Sequence, residues 1–106
     1  MKQSHIVILV TAKDKKEAQK ISRALLKDQL IACANMVSGV ESLFWWQDKI
    51  DTAKETLIIL KTKTSLFKRV LTRIKFLHSY KNPEIIALPV IDGSKDYLKW
   101  ISSSVM

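Results

Sequence analysis

The chain begins with an apolar run, followed by a segment in which apolar residues recur at helical spacing. Residues 5–10 are continuous and mostly β-branched, which predicts a central strand buried on both faces. Asp14 precedes Glu17 by three residues, a capping-box pattern that predicts the start of a helix ending near Asp28. Lysines and arginines occupy the face of this helix opposite its apolar positions. A strand and an amphipathic helix are therefore expected first.

Two long extended segments follow, and a polar turn at residues 47–49 joins them. The first covers residues 31–46 and is interrupted by Ser38 and Gly39, where a bulge or bend is expected. The second covers residues 50–63 and is rich in β-favouring residues. Together the two segments predict a long β-hairpin.

A stripe of residues spaced by three and four positions predicts a second helix. Its members are Phe67, Val70, Leu71, Ile74, Leu77 and His78. Thr64 or Ser65 is expected to cap its start, and Pro83 prevents it from continuing further. Residues 84–91 then show the pattern of an apolar strand, in which Pro89 indicates an edge position.

A short last helix is expected after the turn at Asp92 and Gly93, with Ser94 as its cap. The order β-α-β-β-α-β plus a terminal helix is that of the ferredoxin-like split βαβ fold, an α+β arrangement. No linker, repeat or low-complexity segment interrupts residues 1–106, so a single domain is expected. Because this fold supports many functions, the function has to be inferred from particular side chains.

The predicted hairpin is long for a domain of this size. A strand from Cys33 to Trp46 spans roughly 45 Å at ~3.3 Å per residue, whereas a compact chain of about 100 residues has a diameter of roughly 34 Å. The hairpin therefore bends at Gly39 or extends beyond its own domain. Its tip carries Phe44, Trp45 and Trp46, which favour burial over exposure to water. Oligomerisation is the simplest way to cover them.

Composition excludes several classes of protein. No apolar run approaches the ~20 residues of a membrane span. The N-terminal residues lack a small-residue cleavage site, and the single cysteine, Cys33, has no partner for an internal disulfide. These features predict a cytoplasmic protein with no membrane partner.

The formal net charge of +8 leaves two interpretations open. A basic chain suits an anionic partner such as nucleic acid, but lysines spread along the sequence also suit a solvated surface. RNA-binding domains of this fold stack bases on aromatic residues of the sheet. The third predicted strand has no aromatic residue, so nucleic acid is not the expected partner.

The junction between the second helix and the fourth strand brings four kinds of polar group together. His78, Tyr80, Lys81 and Glu84 surround Pro83, and such a mixture is what a binding site requires. An ordinary polar loop is the alternative explanation. His78 also has the position of a histidine that caps the helix or packs in the core.

Cys33 and Lys61 are further candidates with two interpretations each. Cys33 is either an inert thiol or a nucleophile with His78 as its base, but no third orienting residue is evident. Metal binding by the same pair would need additional ligands. Lys61 lies in an apolar strand, where it either marks a sheet edge or reaches into a pocket.

Six motifs together fit one known family in order and in spacing. They are Val10-Thr11-Ala12, Leu30-Ile31-Ala32-Cys33-Ala34-Asn35, Ser42-Leu43-Phe44-Trp45-Trp46, Glu55-Thr56-Leu57-Ile58-Ile59-Leu60-Lys61-Thr62, His78-Ser79-Tyr80 with Pro83-Glu84-Ile85, and Tyr97-Leu98-Lys99-Trp100-Ile101. Through them the chain resembles the CutA family, the divalent-ion tolerance proteins, over nearly its whole length.

The resemblance implies a homotrimer of ferredoxin-like subunits in which the long hairpin reaches a neighbour. It implies a non-enzymatic role in tolerance to copper and other divalent ions. It also implies a ligand cleft between subunits and a metal site. The cleft residues would be Trp46, Glu55, Lys61, Tyr80 and Glu84, and His78 would be a metal ligand. Cys33 is a further candidate metal ligand because of its thiol, and not because of the resemblance.

Two positions depart from the metal-binding members of that family. Some members carry a cysteine at the position of Val10 and a second histidine at the position of Leu77. Of that ligand set only His78 is present in this chain. Since a soft copper site requires thiolate and imidazole together, strong copper binding at that place is not expected.

Overall fold

A four-stranded antiparallel sheet forms the framework of the computed structural model, which describes residues 4–106. The strands are β1 (His5–Ala12), β2 (Cys33–Trp46), β3 (Lys49–Lys63) and β4 (Ile85–Pro89). Their order in the sheet is β2-β3-β1-β4, and every adjacent pair is antiparallel. This order confirms the predicted ferredoxin-like fold. It also places β4 at an edge, as Pro89 indicated.

Three α-helices connect or follow the strands in the described part of the chain. They are α1 (Lys15–Lys27), α2 (Phe67–Leu77) and α3 (Lys95–Ser104). Asp14 caps α1, as predicted, because its Oδ1 accepts a hydrogen bond of 2.8 Å from the backbone N–H of Glu17.

The start of α2 differs from the prediction. A 3₁₀ turn at Thr64–Leu66 leads directly into the helix, so the N-cap position is Leu66 and not Thr64 or Ser65. Leu66 is buried and packs in the hydrophobic core at this helix start. Two boundaries of β4 also shift inward, since it covers five residues where residues 84–91 were expected.

The core lies between the sheet and the two long helices. Alternate residues of β1 and β3 point toward α1 and α2 and are buried. The largest fully buried side chains are Ile8, Val10, Ile21, Leu25, Ile31, Ile58, Leu60, Thr62, Val70 and Ile74. The alternate apolar residues of the strands and the apolar stripes of the helices pack against each other in this layer.

The opposite face of the sheet carries apolar residues that the single chain leaves partly uncovered. The register pairs Val7 with Leu88 and Leu9 with Ile86, so these side chains share one face. We define the open sheet face as Val7, Leu9, Val37, Leu57, Ile59, Ile86 and Leu88; all are half-buried or exposed. The prediction that β1 is buried on both faces is therefore wrong for one chain alone.

The β-hairpin extends beyond the rest of the sheet. β1 pairs with β3 only as far as Thr56, whereas β2 and β3 remain paired out to Trp46 and Lys49. The molecule measures 44 × 28 × 23 Å, which agrees with a hairpin that extends beyond the domain. The predicted bulge is present between Val37 and Val40. Residues 40–55, the hairpin extension, expose large apolar side chains. These are Leu43, Phe44, Trp45, Trp46 and Ile50.

The turn of the hairpin has two residues, and both adopt positive φ angles. Gln47 has a φ of 49° and Asp48 a φ of 63°. This is the conformation of a type I′ turn, whose twist matches the strands it joins. Asp48 accommodates the left-handed region because its short polar side chain makes that conformation less costly.

Candidate functional site

His78 lies at the C-cap of α2, where its imidazole is buried and fully hydrogen-bonded. Its Nε2 lies 2.8 Å from the carbonyl oxygen of Thr11, and its Nδ1 accepts a hydrogen bond of 3.0 Å from the backbone N–H of Tyr80. These partners fix the neutral tautomer that carries its proton on Nε2. Both ring nitrogens are therefore engaged within the chain.

Glu17 connects the start of α1 to the loop after α2. Its Oε1 accepts from the N–H of Lys13 at 3.2 Å, its Oε2 accepts from the N–H of Ser79 at 2.9 Å, and its Oε1 lies 3.9 Å from Nδ1 of His78. Burial alone would raise the pKa of this carboxyl group. The hydrogen bonds from Ser79 and Lys13 outweigh burial and lower the pKa of Glu17 below its ordinary value.

Tyr80 joins this junction to the base of the hairpin extension. Its hydroxyl donates to Oε2 of Glu55 at 2.8 Å, and its ring lies 4.8 Å from that of His78 between centroids. Burial, then the hydrogen bond to Glu55 and its negative charge, raise the pKa of Tyr80 to about 12. Glu55, Tyr80 and His78 therefore form one cluster, which we call the Glu55 cluster.

Lys61 belongs to a second polar group on the open side of the sheet. Its Nζ donates to Oδ1 of Asn35 at 2.7 Å and lies 6.0 Å from the ring centroid of Tyr97. Cys33 contacts the same Asn35 oxygen, with its Sγ at 3.6 Å. Because β3 is an interior strand, Lys61 does not mark a sheet edge. Its place in a ligand cleft stays a prediction.

The two groups lie apart in the sheet. Cys33 pairs with Lys61, whereas Thr11, which contacts His78, pairs with Leu57. Four residues along β3 correspond to ~13 Å. The structure therefore does not bring Cys33 and His78 together, either as a nucleophile and its base or as ligands of one metal ion.

The geometry also weighs against a metal site within one chain. Among residues 4–106, no three His, Cys, Asp or Glu side chains are grouped closely enough to hold a metal ion. Cys33 contributes one soft ligand, and the nitrogens of His78 already have partners. These residues do not fit a copper centre, which requires several converging donors. Their role as metal ligands stays a prediction.

Glu84 and Trp46 take different places relative to the Glu55 cluster. Glu84 is exposed and directly precedes Ile85, which pairs with Val10, so it lies at the same end of the sheet as His78. Trp46 is 59% exposed at the hairpin tip and pairs with Lys49. That position is six residues from Glu55, or ~20 Å along the strand. Within one chain, Trp46 is remote from the cluster.

Three residues of these groups were not predicted as site residues. The spacing between Asp14 and Glu17 indicates a capping box and gives no sign of the contact with Ser79. Asn35 alternates with Cys33 and so shares its face, but only the register shows Lys61 beside them. Tyr97 comes from α3, and no local pattern relates it to β3.

Residues 6–104 match the family described as CutA1 divalent ion tolerance protein. The divalent-cation tolerance protein CutA of Thermus thermophilus is 39% identical over 95 residues, which cover 90% of this chain and 92% of that protein. The structure of the periplasmic divalent cation tolerance protein CutA of Archaeoglobus fulgidus superposes with a TM-score of 0.94 at 39% identity. The superposition covers 96% of this chain and 99% of that one.

A plant relative is longer than this chain. The chloroplastic protein CutA 1 of Oryza sativa is 38% identical over 99 residues, and the match covers 93% of this chain but 56% of the rice protein. The chain thus spans about half the length of that relative. Within the described residues, no helix has the length and apolar character needed to cross a membrane.

Proposed function

Because this chain belongs to the CutA1 divalent ion tolerance protein family, we propose that it acts in divalent-cation tolerance as a homotrimer. In this proposal the trimer is not an enzyme, and it holds a small ligand in clefts between its subunits. The family is named for a tolerance function and not for a reaction. Neither polar group described above contains an activated nucleophile with an orienting base.

The exposed hairpin extension is the observation that carries the proposal. Trp45 is 74% exposed, and its cross-strand partner Ile50 and the neighbouring Leu43 share its face of the ribbon. Monomeric proteins rarely leave such contiguous apolar surface in water. The open sheet face is a second apolar surface of the same chain. A second copy is the partner that supplies complementary surface to both.

The geometry of that contact favours a ring. If the hairpin extension of one chain covers the open sheet face of the next, two different surfaces meet, and the contact is heterologous. Heterologous contacts either close into a ring or continue into a filament. A ring of three is the assembly that the family resemblance implies.

Such a ring would complete the proposed cleft. Glu55, Tyr80 and Glu84 lie at one end of the sheet, and Lys61 lies on its open side. Trp46 is remote from them in its own chain, so in the trimer a neighbour's hairpin tip would supply it. Two carboxylates beside a phenol suit a small polar or cationic ligand, including hard divalent cations that prefer oxygen donors.

The mass of the native protein tests the assembly. We expect multi-angle light scattering at micromolar concentration to give three times the chain mass of 12.1 kDa, about 36 kDa. A mass of one chain at that concentration would contradict the proposal, because the apolar hairpin extension would then be stable in water.

Copper titration tests the metal ligands separately. We expect calorimetry to give the same copper affinity and stoichiometry for the wild type and for His78→Ala, because the His78 nitrogens are occupied by Thr11 and Tyr80. Cys33→Ser, at the other candidate ligand, is titrated with copper in the same way. Circular dichroism checks that both variants are folded. Loss of a copper equivalent in the His78 variant alone would show that the imidazole rotates to bind metal.

We place the proposed function in the cytoplasm on the strength of the single cysteine. The compared relatives include proteins described as chloroplastic and as periplasmic. The location of this chain is therefore part of the proposal and does not follow from the family.

A further inference from the structure

The excess positive charge of this chain is confined to two helices. α1 carries five lysines and arginines against one glutamate, and α2 carries four against no acidic residue. Their combined net charge is +8, which equals the formal net charge of the whole chain. The remaining residues are balanced, with nine basic and nine acidic side chains. The charge is thus a local feature of the helical layer.

These basic side chains project from the layer toward solvent. All nine are exposed except Arg73, which is half-buried and makes an ion pair of 3.0 Å with Asp28. The glutamate of α1, Glu17, is buried and does not offset the charge at the surface. We define the basic helix surface as Lys15, Lys16, Lys20, Arg23, Lys27, Lys68, Arg69, Arg73 and Lys75.

Two apolar side chains stand among these charges. Phe76 is 80% exposed, with the Arg73 guanidinium 5.9 Å from its ring centroid. Leu26 is also exposed, near the end of α1. Beside Phe76 an open groove of about 750 Å³ runs along α2, lined by Lys68, Arg69, Thr72 and Arg73 together with Asp28, Leu30 and Met106. The surface therefore combines cationic groups, protruding apolar groups and an open groove.

We propose that the basic helix surface docks on an anionic lipid bilayer. This replaces the sequence-based expectation of no membrane partner, which rested on the lack of an apolar run long enough to span a membrane. Lysines and arginines held within a Debye length of anionic lipid headgroups are attracted to them. Phe76 and Leu26 would enter the headgroup region beside the charges, as apolar residues of interfacial helices do. The open sheet face and the hairpin extension lie elsewhere on the molecule, so docking leaves self-association undisturbed.

The shape of the surface favours a bilayer over nucleic acid. α1 and α2 lie side by side on the sheet, so neither protrudes to enter a major groove. Binding of single strands without sequence preference relies on several aromatic stacking platforms. On the exposed parts of these helices Phe76 is the one aromatic residue. A flat basic layer with isolated apolar side chains matches a lipid surface instead.

Vesicle co-sedimentation of the 106-residue chain tests the proposal. We expect the wild type to bind vesicles that contain phosphatidylglycerol and to ignore vesicles of phosphatidylcholine alone, with binding weakened by salt. Each basic residue near an anionic surface contributes about fivefold to partitioning, so Lys20→Gln with Lys75→Gln should lower it about 25-fold. Glutamine retains helix propensity close to that of lysine, which protects the fold. Phe76→Ser should lower partitioning at high salt as well.

The matched control removes two charges outside the surface. Lys95 and Lys99 are exposed on α3, and replacing both by Gln should change partitioning less than about threefold. Equal losses in the two double variants would overturn the proposal, because net charge alone would then explain binding. Failure of the wild type to bind anionic vesicles would overturn it too. Binding of RNA or duplex DNA through Lys20 and Lys75, with no vesicle binding, would identify nucleic acid as the partner instead.

Discussion

The substitution Trp45→Glu is expected to convert the assembled protein into single chains. Trp45 lies near the tip of the hairpin extension, opposite Ile50 and on the same face as Leu43. If this face packs against a neighbour, the new carboxylate is buried without a partner, which costs several kcal/mol. Since every 1.4 kcal/mol is about tenfold in an association constant, a cost of ~3 kcal/mol weakens each contact more than a hundredfold. Light scattering at micromolar concentration should then give 12.1 kDa.

Phe76→Glu is the matched control for that result. It introduces the same carboxylate in place of an aromatic side chain that is at least as exposed, but on the helical layer. The variant should keep the wild-type mass, because the helical layer faces away from the proposed contacts. If Phe76→Glu dissociated into single chains and Trp45→Glu stayed assembled, the subunit interface would lie on the helices instead. Circular dichroism of both variants confirms that the subunit itself remains folded.

The elements of this fold were predictable because local periodicity determines them. The stripe ending at His78 and the break at Pro83 define α2 and its end within a single stretch of sequence. The overhang of the hairpin was also predictable, since it follows from strand length compared with domain size. The prediction that β1 is buried on both faces was wrong for the isolated chain. The same apolar run places Val7 and Leu9 on the open sheet face, which the proposed partner subunit would cover.

The contacts of the candidate site were not predictable, because they depend on tertiary register. Glu17 and Ser79 are 62 residues apart, and Glu55 and Tyr80 are 25 apart, so no pattern in one segment reveals either hydrogen bond. The sequence named His78, Tyr80 and Glu55 individually. Only the structure shows that they share one cluster while Lys61 and Cys33 belong to another. The charge of +8 was equally ambiguous until the fold placed it on one layer.

Glu17→Gln is expected to destabilise the subunit by about 2 kcal/mol at neutral pH. Glu17 accepts hydrogen bonds from the N–H groups of Lys13 and Ser79, and bonds to a charged acceptor contribute about 1.5–3 kcal/mol. Glutamine offers one oxygen, so its amide group faces one of the two N–H donors and leaves that donor unsatisfied. Denaturant unfolding at one fixed protein concentration measures the loss, because self-association also affects stability. Asp96→Asn, at an exposed carboxylate of α3, should cost under ~1 kcal/mol.

Acidification should remove the difference between the wild type and Glu17→Gln. The pKa of Glu17 in the folded chain lies below its ordinary value of 4.5, so the unfolded chain binds this proton first as the pH falls. The stability that the carboxylate contributes is therefore fully present above about pH 4.5 and is lost as the pH falls through the folded pKa. The two unfolding free energies should converge below that range. A gap between wild type and Glu17→Gln that stays constant from neutral to strongly acid pH would mean that the shape of the side chain, and not its charge, joins α1 to the loop after α2.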